Sequence, residues 1–232
     1  MSKTAVIHQP DFLSYLGFFH RFLAADVYIA LDCVQFAAKT SKSWQNRDKI
    51  KTPQGEKWLT VGVQKTGLDT KISDVLLSTT ADWRTANLNL LRENYRKAPY
   101  FSEIFPRVEE LYAFQCGKMM DFNLESIRLL MDLFDIHIPI TMAGQLKPQG
   151  KNNVLLADLL VKAGCDTYLS GTGARAYYEP GPFEKAGIKV RWQEFNHPVY
   201  PQLHGEFIPY LSSIDLLFNC GAARSRGILR SA

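Results

Sequence analysis

The residues best placed for chemistry in this chain are two histidines, an aspartate and a serine-glycine pair. His8 follows the short apolar run Ala5-Val6-Ile7. Pro10, two residues on, has no amide hydrogen to extend a central ladder, so the chain is expected to leave a sheet at His8-Gln9. Asp32 follows Val27-Tyr28-Ile29-Ala30-Leu31, which reads as a buried strand. An imidazole at one strand end beside a carboxylate at the next is a general base with its tautomer fixed, or an electrostatic partner for a phosphate. The ordinary alternative is a half-buried histidine bonded to backbone. His20 lies between the two strands, on a segment where Leu16, Phe19, Phe22 and Leu23 recur at helical spacing. It shares a face with Gly17 and Ala24, a pair that equally makes a close-packing seam. Ser170-Gly171-Thr172-Gly173-Ala174 follows a third apolar run, Thr167-Tyr168-Leu169, and precedes a helix expected from near Ala174. Exposed amides there make either an anion-binding turn or a plain tight connection.

These residues meet only if the elements bring them together. A β-α-β unit is parallel and right-handed, so it sets the carboxyl ends of both strands on one edge, where open α/β sheets bind ligands. The expected fold is therefore α/β: a mainly parallel, Rossmann-like sheet flanked by helices, with an N-terminal β-α-β laid out as in nucleotidylyltransferases. Thr52-Pro53-Gln54-Gly55-Glu56 is a turn cluster between two strand-like runs and predicts a hairpin over about 44–64, with Trp44 and Trp58 packing on its faces. Helical spacing over about 83–135, punctuated by Pro99 and Pro106, predicts a helical insertion. The α/β pattern resumes with Ile138 to Met142, a helix from Asn152 to Ala163 closed by Gly164, and strands at Thr167 and at Ile188 to Phe195. No repeat or long linker interrupts it, so residues 1–232 are expected to form a single domain.

Composition narrows the function classes. With 46% hydrophobic and 22% charged residues among 232, the chain is a folded domain rather than a disordered one. No apolar run reaches membrane-spanning length and the N-terminus enters a strand without a signal-peptide h-region, so the expected compartment is the cytoplasm. Cys33, Cys116, Cys165 and Cys220 lack paired spacing, which fits reduced, buried thiols. Cys33, next to Asp32, is also a nucleophile candidate with His8 as its base. No metal-ligand pattern stands out, and no metal or cofactor is expected. A net charge of +4 is modest and points to an anionic small molecule, such as a nucleotide-sugar, rather than to nucleic acid. Trp44, Asn46 and Arg47, with Lys39, Lys42 and Lys49, supply an aromatic plane, an amide and forked donors suited to a nucleotide, a sugar or a diphosphate. The alternative is a charged edge strand protected against aggregation. Lys39-Thr40-Ser41-Lys42-Ser43 matches most of the K-M-S-K-S loop of class I aminoacyl-tRNA synthetases, but so short a match lying so near the first histidine carries little weight.

Taken together, Ile7-His8-Gln9-Pro10, Leu16-Gly17-Phe18-Phe19, Asp32 with Val34-Gln35-Phe36, Trp44-x-Asn46-Arg47 with Ile50-Lys51, Tyr168-Leu169-Ser170-Gly171 with Gly173-Ala174 and Tyr177, and Leu216-Leu217-Phe218-Asn219 with Gly221 resemble the WbqC-like family. The resemblance spans nearly the whole chain. The chain departs from the family pattern at Ser14, Tyr15 and Phe36, where proline, tryptophan and tyrosine are usual. Family members accompany genes for O-antigen, capsule and other surface-glycan synthesis. The resemblance therefore implies a cytoplasmic transferase acting on a nucleotide- or carrier-activated sugar, with acyl or aminoacyl transfer to an amino sugar as one form. His8, Asp32 and His20 would be catalytic, and Gln9, Gln35, Trp44, Asn46, Arg47, Ser170 and Gly171 would bind substrate. Two other classes stay open: a nucleotidylyltransferase-like enzyme, against which stands the twelve-residue gap between His8 and His20, and a non-catalytic binding or assembly factor of the glycan pathway.

Overall fold

The computed structural model describes residues 2–37 and 43–232; Lys39 and Lys42, and with them most of the K-M-S-K-S-like run, lie outside the described residues. Five parallel strands form the main sheet: β1 Thr4–His8, β2 Val27–Ala30, β5 Ile140–Met142, β6 Thr167–Ser170 and β7 Lys189–Trp192. Their order is β5-β2-β1-β6-β7. The chain thus builds outward from β1 through β2 to β5, then crosses back to lay β6 and β7 on the other side of β1. The reversal leaves a crevice between the ends of β1 and β6, the place where doubly wound sheets hold ligands.

Alternation along the strands sorts the core. Val6, Tyr28, Ala30 and Leu169 face a large aromatic core with Phe12, Phe18, Phe19 and Phe22. Ala5, Ile7, Val27, Ile29 and Tyr168 face a smaller one with Leu159, Leu160 and Phe183. The second core is capped by α5 Asn152–Lys162 and α6 Pro180–Lys185. Burial on both faces explains why β2 and β6 are apolar or small throughout. The expected first helix is α1 Leu16–His20, continued by a 3₁₀ turn over Arg21–Ala24.

The hairpin and the insertion also form. β3 Arg47–Thr52 and β4 Gly55–Thr60 pair antiparallel, with Thr52 opposite Gly55. A two-stranded ribbon is marginal alone; this one is docked through buried Ile50, Leu59 and Val61 and by the Lys51 amide donating to the Tyr95 hydroxyl (3.0 Å). Trp44 and Trp58 pack on each other, ring centroids 5.3 Å apart. The insertion is three helices, α2 Trp83–Tyr95, α3 Phe101–Ala113 and α4 Met119–Leu133. Its second break is not at Pro106, which α3 absorbs, but at 114–118. There the Gly117 carbonyl accepts from Leu77 and the Met119 amide donates to Val75, so pairing with a neighbouring segment interrupts the helix.

The last helix, α7 Ser213–Arg230, is kinked at Gly221, whose φ of 71° and ψ of 164° belong to glycine. A Cβ there would stand 2.5 Å from Cδ1 of Tyr100. Gly221→Ala is therefore expected to lower stability by roughly 1–3 kcal/mol from the backbone alone, read as a drop in the urea midpoint. An unchanged midpoint would mean that the kink is not required.

Candidate functional site

Register places the end of β1 between the ends of its neighbours: His8 pairs with Ala30, and β6 runs beside β1 with Thr167 opposite Thr4. His8 and Asp32 thus emerge on the same edge as Ser170. The His8 carbonyl is held by the Leu31 amide (2.8 Å) and the Tyr28 hydroxyl (3.1 Å). Its ring stands edge-on to Phe18, and Nδ1 lies 3.0 Å from the Gln9 carbonyl, a contact that only the Nδ1-protonated neutral tautomer or the cation can make. The neutral form keeps its lone pair on Nε2. Burial first, and then the nearby Arg21 cation, push the pKa down to about 3 against the Gln9 carbonyl. The side chain nevertheless keeps 36% of its surface open to solvent, so it is reachable, and solvent moderates the shift.

The carboxylate beside His8 is Asp11, not Asp32. Asp11 Oδ2 lies 3.5 Å from His8 Nδ1, because the chain turns sharply after Pro10 and the Asp11 amide donates back to the Gln9 carbonyl (2.9 Å). Asp32 is buried and its Oδ1 accepts from the Gly144 amide (2.7 Å), tying the end of β2 to the turn that follows β5. Orienting His8 is therefore not what the Asp32 carboxylate does here. Burial raises the Asp11 pKa to about 7, with Arg21 opposing. Between the ordinary 3.8 and about 7 the folded chain holds a proton that the unfolded chain releases, so Asp11 makes stability fall as pH rises through that window. His8, depressed to about 3 from 6.5, acts in the opposite sense over its own window, so the informative quantity is a difference between proteins. Asp11→Asn is expected to stabilise the protein by roughly 2–4 kcal/mol more at pH 7.5 than at pH 4. Denaturant titration of both proteins checks this, and a pH-independent difference would contradict it.

Arg21 completes the group. It is 4% exposed, lies near the ring of Phe18, and its Nη1 sits 3.4 Å from where a Cβ of Gly171 would be. Gly171 has an ordinary extended backbone (φ −72°), so its missing side chain matters here for the close approach rather than for conformation. Ser170, almost wholly buried, has an Oγ that makes no hydrogen bond of normal geometry among the described residues, although the Tyr168 phenol on the same face feels it. The turn beyond opens a 3₁₀ helix over Thr172–Tyr177 rather than an α-helix.

The remaining expected residues divide between this edge and the scaffold. Gln9 Oε1 accepts from Gln45 Nε2 (2.6 Å), and Gln9 lines a cleft of about 620 Å³ with Leu31, Val34, Asn153 and Tyr177. His20 is half-buried, contacts Gln193 Nε2 through Nδ1 (3.2 Å) and packs at a tilt against Phe195; burial lowers its pKa. Asn46 Nδ2 donates to the Val61 carbonyl (3.2 Å), a hairpin contact. Trp44 is partly exposed on Trp58, while Arg47 lies over the Trp58 ring and donates from Nε to the Ser43 carbonyl (3.3 Å). Gln35 is exposed and its amide donates to the Leu68 carbonyl. The Cys33 and Cys220 thiols are both pushed up by burial, the opposite of an activated nucleophile, and Phe36 is a core residue.

Asp11 and Arg21 were not singled out from sequence, yet each leaves a trace. Asp11 stands three residues after His8 across Pro10, and Arg21 is a charge set among Phe18, Phe19 and Phe22. An isolated charge inside an apolar helical stripe is either snorkelling or serving a site. Gln45 was missed as well; it links Gln9 to the Ala37 amide (2.8 Å).

Among the described residues no helix is long and apolar enough to cross a membrane. No solved structure matches the chain significantly. The chain is similar to the "Uncharacterized protein Rv1507c" of Mycobacterium tuberculosis (strain ATCC 25618 / H37Rv), 32% identical over 225 residues that cover 96% of this chain and 95% of the relative. The model of the WbqC-like protein family matches residues 9–226. With the hairpin, the three-helix insertion and strands β2, β5, β6 and β7 all inside that span, the chain belongs to the WbqC-like protein family.

Proposed function

We propose that the protein is a cytoplasmic transferase that modifies a nucleotide- or carrier-activated sugar for a surface glycan, with acyl or aminoacyl transfer to an amino sugar as the reaction. The observation that carries this reading is the His8-Asp11 pair at the crevice between β1 and β6, a neutral imidazole with a carboxyl 3.5 Å from its Nδ1, beside a cleft of about 620 Å³. Family membership supports the glycan setting.

The chemistry follows from the geometry. His8 Nε2 takes the proton of the sugar's amine or hydroxyl as that atom attacks the acyl carbonyl. The bond to the donor's leaving group then breaks, the leaving group departs with the electron pair, and the proton on His8 passes to it. The imidazolium formed between these steps is stabilised by the ionised Asp11 3.5 Å away, while the Gln9 carbonyl keeps the ring oriented through Nδ1. Burial holds both groups toward their neutral forms.

The test supplies candidate sugar nucleotides with acyl and aminoacyl donors and follows products by mass. Product formation by the wild-type protein supports the reading. Tight binding of a sugar nucleotide with no product from any donor would replace it with the binding-factor reading.

A further inference from the structure

Among the described residues Arg21 is buried without a counter-ion. Among the described residues no hydrogen bond or ion pair forms at its guanidinium, and Nε is fully enclosed with no acceptor. A buried charge that lacks a partner is costly, and natural interiors pair such groups. Its charge is felt at His8, Asp11 and His20, yet among the described residues no carboxylate comes within ion-pair distance. The side chain lines a cavity of about 420 Å³ at the ends of β6 and β7, together with His20, Arg191, Trp192, Gln193 and Glu194.

We propose that Arg21 is the anchor for a phosphoryl group of the ligand, which enters that cavity and supplies the missing counter-charge. The charge balance favours phosphoryl over a single carboxylate, and two further features suit either anion. The cavity carries two guanidinium groups against one carboxylate, Glu194. The planar fork of arginine matches phosphate oxygens. The bare Gly171 leaves Nη1 without a side chain pressed against it. The position also links binding to chemistry: a phosphoryl anion on Arg21 cancels the cation that depresses the basicity of His8, so the ligand prepares its own base. This inference rests on the reading of the β1-β6 crevice as a substrate site, but binding can be measured without turnover.

The experiment titrates inorganic pyrophosphate, and in parallel succinate, into wild type, Arg21→Met, Arg21→Lys and His8→Gln at constant ionic strength. Melting temperatures are recorded with and without ligand. Pyrophosphate is expected to bind wild type and His8→Gln alike and to raise their melting temperatures. Arg21→Met is expected to bind about ten- to a hundredfold more weakly while melting, ligand-free, at or above wild type, because an unpaired buried charge has been replaced by an apolar chain of similar length. Arg21→Lys, which keeps charge but not the fork, should fall between. Equal pyrophosphate affinity in Arg21→Met would overturn the proposal. So would absence of a wild-type response, or an Arg21→Met protein that is unfolded or melts well below wild type, since Arg21 would then serve the scaffold. Binding of succinate but not pyrophosphate would overturn the phosphoryl assignment. No product from wild type with any donor, with pyrophosphate binding lost in Arg21→Met, would sink the transferase reading and leave the anchor standing.

Discussion

Asp215→Ala is expected to remove roughly 3–5 kcal/mol of folding stability, the scale for breaking a buried charged network from one side. The Asp215 carboxylate at the start of α7 is completely buried. Its Oδ1 accepts from the Tyr95 hydroxyl (2.7 Å), and its Oδ2 accepts from the Tyr200 hydroxyl (2.9 Å) and from Gln202 Nε2 (2.8 Å). The buried Lys51 lies in its field and donates its ammonium to the Gly205 and Glu206 carbonyls. One side chain therefore ties the insertion, the hairpin and the 200–206 loop to the last helix. Alanine would leave three donors without their acceptor and Lys51 without the stronger-acting of the two carboxylates, Asp215 and Glu206, that stabilise its charge. Burial raises the Asp215 pKa even against those donors, so the carboxylate is costly in itself and worth keeping only for what it joins. Urea unfolding measures the effect. A loss below about 1 kcal/mol would mean that the network is not holding these segments together.

The second large effect is on turnover. His8→Gln is expected to keep the fold, because the residue ends β1 with its side chain partly open and glutamine accepts a polar, half-exposed place. It should lose on the order of a hundredfold or more in rate, the usual contribution of a positioned base. The rate of the wild type should rise with pH through about 7 as Asp11 loses its proton and becomes able to stabilise an imidazolium. Asp11→Asn should flatten that rise. Rates compared at matched thermal stability check both statements, and equal rates for wild type and His8→Gln would remove His8 from the chemistry.

Much of this was legible in the sequence, and the exceptions have physical causes. Short apolar runs ending in polar residues placed β1, β2 and β6 and put His8, Asp32 and Ser170 on one edge, because in a parallel sheet such runs must be buried on both faces. The hairpin followed from its turn cluster. What failed was partner choice. A strand-end argument pairs His8 with Asp32, its neighbour across the sheet, but the turn after Pro10 brings Asp11 closer, and Gly144 claims Asp32. Local turns decide contacts at the scale of a hydrogen bond, and strand periodicity carries no information about them. Arg21 was hidden for a different reason: a cation in an aromatic stripe has no periodic signal, and its significance lies in partners it lacks. The helix α7 was visible only as a string of matching residues, since Gly221 breaks the periodicity that would have announced it. Asn46 and Arg47 read as ligand donors from type and spacing, and within the chain they also bond Val61 and Ser43, with Arg47 over Trp58.

The central claim, that the crevice between β1 and β6 is where an activated sugar is held and changed, is tested most directly by a crystal structure of the protein with a bound nucleotide-sugar. The account predicts a phosphoryl group on Arg21 and a sugar amine or hydroxyl within hydrogen-bond reach of His8 Nε2. A nucleotide-sugar seated on the Trp44-Trp58 face of the hairpin or against the helical insertion, with the crevice empty, would contradict it.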